Sequence, residues 1–205
     1  MRFLFSILFF VQCSFALSIN ESLLKIHAVL LPKIVLMDYN FENKLRDNTI
    51  TIAILYDANE YKSAVLLKEE LQNRYQNRIK NYTIKTVLLP YSKVKYSSAN
   101  LYYLLPSKKS NVKKVIQRAR EQDALTFSYI ASDLKRGVML SLKIGAKIKP
   151  IINLKAVRSN NITFRPVLLK ISHIYTTKSL NNESSKSIYN QRRDIFFIAS
   201  AGKQL

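Results

Sequence analysis

The chain has 205 residues, 48% of them hydrophobic and 22% charged, which is the composition of a globular protein and excludes a disordered one. Its formal net charge is +20 at pH 7, and Cys13 is its only cysteine. A disulfide framework, a pair of thiol ligands and a redox couple are thereby excluded.

Residues 1–16 read as a signal peptide. Arg2 supplies the positive start, residues 3–11 the apolar run, and Ser14-Phe15-Ala16 the small–x–small site, with cleavage after Ala16. The run is too short to span a bilayer. Cys13 opens a lipoprotein alternative, against which stands Gln12, where a lipobox needs a small residue. Losing Arg2 with this segment leaves +19, and the mature chain then has no cysteine at all. In a cytosolic protein that charge would point to nucleic acid. Export points elsewhere: to anionic lipid headgroups, envelope polymers or an acidic partner domain, or to nothing more specific than a lysine-rich exported proteome. No nucleic-acid partner is expected.

From the mature start, residues 20–38 read as a helix capped by Ser18 or Asn20, with Pro32 kinking it or starting a second helix at 33–37. Residues 49–57 are β-branched almost throughout, the pattern of a central strand buried on both faces. A long amphipathic helix follows over 59–79, with Tyr61, Val65, Leu67, Leu71 and Tyr75 inward. Residues 83–89 and 100–105 are strands, each stopped by a proline; 91–98 is ambiguous and reads best as a solvated loop. Residues 110–122 form a basic amphipathic helix capped by Ser110 or Asn111, and 125–130 a fourth strand.

The stretch 125–175 is dense in apolar residues. Ser132-Asp133 can cap a single helical turn, which Gly137 can end with a positive φ. Residues 138–144 alternate as a half-buried strand, and Gly145-Ala146 suits a two-residue hairpin loop returning antiparallel over 147–152. Pro150 places the return strand near an edge or at its end. Asn153 can cap a short helix over 154–158, and Pro166 can open a last one whose apolar face is Val167, Leu168, Ile171, Ile174 and Tyr175. Strands alternating with helices at this spacing give an α/β fold: a Rossmann-like, mostly parallel sheet flanked by helices, with an antiparallel C-terminal hairpin. The expected organisation is a signal peptide over 1–16, one α/β domain over 17–177, and a polar linker and tail over 178–205, whose last apolar segment is 194–200.

The chemistry is largely one of absences. Gly137, Gly145 and Gly202 are the only glycines and lie too far apart for a phosphate-cradling loop, so no dinucleotide cofactor is expected, and none of another kind. His27 lies in an apolar helix and reads as a packed histidine; His173 is placed on the exposed side of the last helix. No Gly-x-Ser-x-Gly elbow and no histidine or thiolate ligand pattern accompanies them, so neither catalytic residues nor a metal site is assigned. Asp57 follows the first strand at the carboxyl edge, where open α/β sheets bind ligands. It is the ligand-pocket candidate, although an aspartate after a strand more often caps the next helix.

Gly137-Val138-Met139, the hairpin, Ile151-Ile152-Asn153-Leu154 and Pro166-Val167-Leu168-Leu169-Lys170-Ile171 together resemble the YfiR-like family of exported bacterial proteins. The resemblance is closest over 124–175. It implies a periplasmic, non-enzymatic regulator that binds and restrains the periplasmic part of a membrane-anchored signalling protein, typically a diguanylate cyclase, in cyclic-di-GMP signalling. Gly137 and Asn153 are motif positions with backbone and capping roles, and Arg158 and Arg165 are candidate exposed partner contacts. Two other classes stay open: a periplasmic small-molecule binding protein with its pocket near Asp57, and a basic envelope protein that holds anionic polymer. A homodimer through the exposed hairpin edge is also compatible with the pattern.

Overall fold

The computed structural model describes residues 19–176. Cys13, the cleavage site after Ala16 and the tail 178–205 therefore lie outside the described residues. Helix α1 (Glu21–Val35) starts as the sequence requires, with the Asn20 side chain accepting from the Leu23 amide. It passes through Pro32 and stops at Val35. No second helix starts at Lys33, because Leu31, Ile34 and Val35 are held in the core by the face they share with Leu24 and Ala28.

Strand β1 (Thr49–Tyr56) lies inside the sheet. Helix α2 (Tyr61–Tyr75) is shorter than its periodicity suggests, since Gln76 and Asn77 adopt left-handed φ of 47° and 60° and turn the chain into β2 (Arg78–Ile79). Its buried residues are Ala64, Leu67 and Leu71, and Tyr61 is exposed, because a 3₁₀ turn over Ala58–Glu60 sets the phase of the helix. β3 (Tyr82–Pro90) follows. The ambiguous segment after it is a 3₁₀ turn, Tyr91–Tyr96, that buries Tyr91 and Val94 and is no solvated loop.

Then come β4 (Leu101–Leu104), α3 (Lys109–Arg120), β5 (Leu125–Ser128), β6 (Leu140–Lys143), β7 (Lys149–Ile152), α4 (Leu154–Arg158), α5 (Pro166–Ile171) and β8 (His173–Ile174). The eight strands make one sheet in the order β2-β3-β1-β4-β5-β6-β7-β8. The pairs β3–β1, β1–β4, β4–β5, β5–β6 and β7–β8 are parallel; β2–β3 and β6–β7 are antiparallel. This is the mostly parallel α/β sheet with an antiparallel hairpin that the sequence pattern describes.

Side chains alternate between two cores. Ile50, Ile52 and Ile54 of β1 join Tyr103 and Phe127 beneath α1 and α2, whereas Ala53 and Leu55 join Tyr102 and Leu104 beneath α3 and the Tyr91–Tyr96 turn. The hairpin differs from its sequence reading in three respects. Leu140, Ser141 and Leu142 are all buried, since β6 is an interior strand, and the Ser141 hydroxyl is satisfied by donating to the Ser128 carbonyl at 2.8 Å. Pairing of Lys143 with Lys149 leaves a five-residue loop over 144–148. β7 is covered by β8, so the hairpin offers no open edge; Pro150 sits ahead of the residues that β8 pairs. The final helix is shorter than its sequence reading: α5 ends at Ile171 and buries only Leu168, leaving Val167 and Ile171 exposed. The chain then extends into β8, where His173 is half-buried in a strand and not on the exposed side of a helix.

Candidate functional site

In this order the chain leaves β1 for β3 on one side and then crosses to β4 on the other. The crevice between the carboxyl ends of β1 and β4 is therefore the topological switch point, the place where open α/β sheets put ligands. Asp57 directly follows β1, and Ser107 follows β4 just ahead of α3. The Ser107 hydroxyl donates to Asp57 at 2.5 Å, and the Asn111 side-chain amide donates to Asp57 at 3.3 Å and to Ser107 at 2.9 Å. The Asp57 side chain makes no cap to the turn that follows it, and Asn111 makes none to α3; both are committed to this cluster.

A second cluster stands beside the first. Beyond β5, Ser128 donates to Asp133 at 2.6 Å, and the Arg136 guanidinium pairs with the same carboxylate. Asp133 is 1% exposed and does not cap its own turn, Ala131–Arg136, because Ser128 and Arg136 take its oxygens. Tyr91 joins the two clusters, its hydroxyl donating to the Leu105 carbonyl at 2.6 Å. Burial, followed by the charges of Asp133, Asp57 and Glu60, holds the Tyr91 phenol well above its ordinary range. Burial and then Asp57 raise the Glu60 carboxyl. Three carboxylates thus converge at this edge, two of them bound up by neutral or cationic donors.

The arrangement holds loops in place. Ser107 and Ser128 each donate to an aspartate, which fixes both side chains. His27 is on the other side of the sheet, fully buried, with Nδ1 2.5 Å from the Tyr103 hydroxyl and edge-on to Phe127 and Tyr129. Burial lowers its pKa to about 3, and Nε2 is buried with no hydrogen-bond partner. It is the packed histidine that its apolar helix implies. Among the described residues no group of three or more His, Cys, Asp or Glu could hold a metal, and no helix is long and apolar enough to cross a membrane.

The partner-contact candidates do not form one constellation. Gly137 takes φ +103° and ends the Ala131–Arg136 turn, as its position requires. Asn153 caps α4 through Ala156 at 3.0 Å and donates to the Leu134 carbonyl at 2.8 Å, which ties α4 to the same turn. Arg158 is exposed at the end of α4. Arg165 lies apart and is half-buried where the sequence reading had it exposed, its guanidinium 5.3 Å from the Tyr39 ring centre and its amide donating to the Met37 carbonyl. The sequence reading missed Ser107, Asn111, Ser128 and Tyr91 as neighbours of Asp57 and Asp133. The signal was present, because residues just past successive parallel strands must meet at one edge.

The YfiR/HmsC-like family (DUF4154) matches residues 40–173, more than half of the chain. The chain belongs to this family. A YfiR/HmsC-like assignment supports a regulatory role in general. No curated protein matches the chain. Among solved structures, a conserved domain protein from Vibrio cholerae O1 biovar El Tor is similar with TM-score 0.55 at 15% identity, over 75% of this chain and 60% of that one. An ABC domain from Streptococcus pneumonia, solved in complex with L-Trp, is similar with TM-score 0.52 at 14% identity, over 74% and 60%. This YfiR/HmsC-like chain thus spans about 60% of the length of both neighbours, and at such identities the likeness is one of fold.

Proposed function

We propose that the chain is a non-enzymatic regulator that is exported to the periplasm, where it binds and restrains the periplasmic part of a membrane-anchored signalling protein of the diguanylate cyclase type. The observation that carries this reading is the family match over residues 40–173. The carboxyl edge supports it. Asp57 and Asp133 are turned onto Ser107, Asn111, Ser128 and Arg136, so they fix the loops that a protein surface needs held still. Restraint follows from differential affinity: a regulator that binds the inactive arrangement of its partner more tightly shifts the population toward it.

The test is the cellular cyclic-di-GMP level. Deleting the gene raises it, the parent chain restores it, and a folded Arg158→Glu/Arg165→Glu variant does not. Crosslinking in the cell captures one membrane-anchored cyclase with the parent. An unchanged nucleotide level together with no captured membrane protein overturns the reading.

One observation favours a second reading. Asp57 with Ser107 and Asn111 occupies the switch point, the position of a small-molecule site in this fold class, and the Streptococcus neighbour holds L-Trp. A hollow of about 470 Å³, lined by Lys68, Gln72, Asn77, Thr83 and Lys85, opens at the amino ends of β1 and β3, away from Asp57. Calorimetric titration with amino acids separates the two readings: saturable heat that Asp57→Ala abolishes favours a small-molecule site, and its absence leaves the regulator.

A further inference from the structure

Charge is unevenly placed along this chain. Residues 134–182 contain no aspartate or glutamate and ten lysines and arginines. Within the fold, residues 140–174 of this segment form β6, β7, α4, α5 and β8, one end of the sheet. The exposed large apolar side chains fall in the same place. Outside it these are tyrosines, Tyr39, Tyr61 and Tyr96; inside it they are aliphatic, with Ile144 52%, Ile148 41%, Val167 55%, Leu169 36% and Ile171 53% exposed.

The fold brings the five together. Ile144 and Ile148 sit in the loop between β6 and β7, whose tip is the small pair Gly145-Ala146. Parallel pairing sets His173 beside Ile151, so the end of α5, two residues earlier, comes in level with Lys149 at the foot of that loop. Val167 and Ile171, four residues apart, lie on one side of α5 and are both exposed, with the buried Leu168 between them and the core. Lys147, Lys149 and Lys170 are exposed around them.

Single exposed aliphatics are ordinary on a protein surface. Five in one segment that carries lysines and no carboxylate of its own are not scatter. Protein interfaces favour aromatic side chains and arginine and are poor in lysine, and this surface has the opposite make-up. Its apolar residues also crown a projecting loop and do not line a hollow. Aliphatic tips flanked by lysines match the boundary between lipid headgroups and acyl chains, where ammonium groups meet phosphates.

We propose that this end of the sheet docks on an anionic lipid bilayer, with Ile144 and Ile148 entering the headgroup layer, Val167 and Ile171 lying on it, and Lys147, Lys149 and Lys170 contacting phosphate. The surface is independent of which protein the chain restrains. It keeps the regulator at the membrane where a membrane-anchored partner is found.

The test is co-sedimentation of the chain, purified as the cell exports it, with vesicles of phosphatidylcholine alone or with about one third phosphatidylglycerol. Binding is expected only to the anionic vesicles, falling as salt rises. Each lysine near the surface is worth about fivefold in affinity, so Lys147→Gln/Lys149→Gln loses roughly 25-fold. Ile144→Ser/Ile148→Ser loses at least about tenfold on vesicles and nothing on soluble polyphosphate, with thermal unfolding unchanged because the loop lies outside the ladder. Three results overturn the proposal. The parent ignores anionic vesicles; the isoleucine variant binds them as tightly as the parent, leaving only the general field of a cationic protein; or the parent is a dimer that the isoleucine changes dissolve, which gives the face to a second copy.

Discussion

The parallel part of the sheet, β3-β1-β4-β5, and the C-terminal part, β6-β7-β8 with α4 and α5, solve different problems. In the first, helices cover both faces, β1, β4 and β5 are buried along most of their length, and Asp57 and Asp133 at the edge are matched by donors of the same chain. In the second, α5 buries one residue, several aliphatic side chains face outward, and the segment carries cations but no aspartate or glutamate of its own. Stability is concentrated in the first part and surface character in the second. A charge of +20 says little about the fold, but its placement separates the two parts.

The comparison breaks most readily in the core. Leu24→Ala, at a fully buried site beneath the sheet, costs about 2–5 kcal/mol in urea unfolding, whereas Ile171→Ala on the outer side of α5 costs under about 0.5 kcal/mol. Equal losses would erase the distinction.

His27 gives the next effect, and its sign is fixed by burial. Its pKa of about 3 in the folded chain lies below the ordinary 6.5, so on acidification the unfolded chain takes up a proton that the folded chain refuses. Its contribution is fully present above about pH 6.5 and falls by up to about 1.4 kcal/mol per pH unit between there and pH 3. Unfolding free energies from pH 7 to pH 5 check this, before carboxylates begin to titrate. His27→Gln flattens the slope.

Asn153→Ala removes both the cap of α4 and the bond to Leu134, with an expected loss of about 1–3 kcal/mol in the same measurement. Asn153→Asp keeps the cap and loses only the donor. The smallest change is Gly137→Ala. The space for a methyl group is open, with Ile116 3.7 Å away, so only the positive φ of 103° resists it, at about 1 kcal/mol.

Strands and caps that depend on local chemistry were legible in the sequence. Thr49–Tyr56, the Asn153 cap, Pro166 at the start of α5 and the left-handed Gly137 all follow from propensity, side-chain donors or backbone freedom within a few residues. What escaped was set by neighbours distant along the chain. Asp57 and Asp133 looked like helix caps because local pairing is the usual use of an aspartate after a strand. The Ser107 hydroxyl, from the end of the neighbouring strand, holds Asp57 at 2.5 Å, whereas Asp133 is held by Ser128, five residues back at the end of its own strand, at 2.6 Å. Residues 138–144 read as half-buried because alternation cannot report that β8 will close over β7. The length of α2 failed for a local reason, since polar Gln76-Asn77 fits a helical pattern as well as it fits the left-handed turn that ends it.

Both rims of the sheet end in strands of two residues, Arg78–Ile79 and His173–Ile174. A sheet polymerises by templating, and a template two residues long offers an incoming strand too few main-chain bonds to offset the freedom it must give up. For a chain rich in β-branched residues this is a form of quarantine. β1, β4, β5 and β6 stay in the interior, and where β3 runs on past β2 with its outer side unpaired, Lys85 and the closing Pro90 take over the same protection.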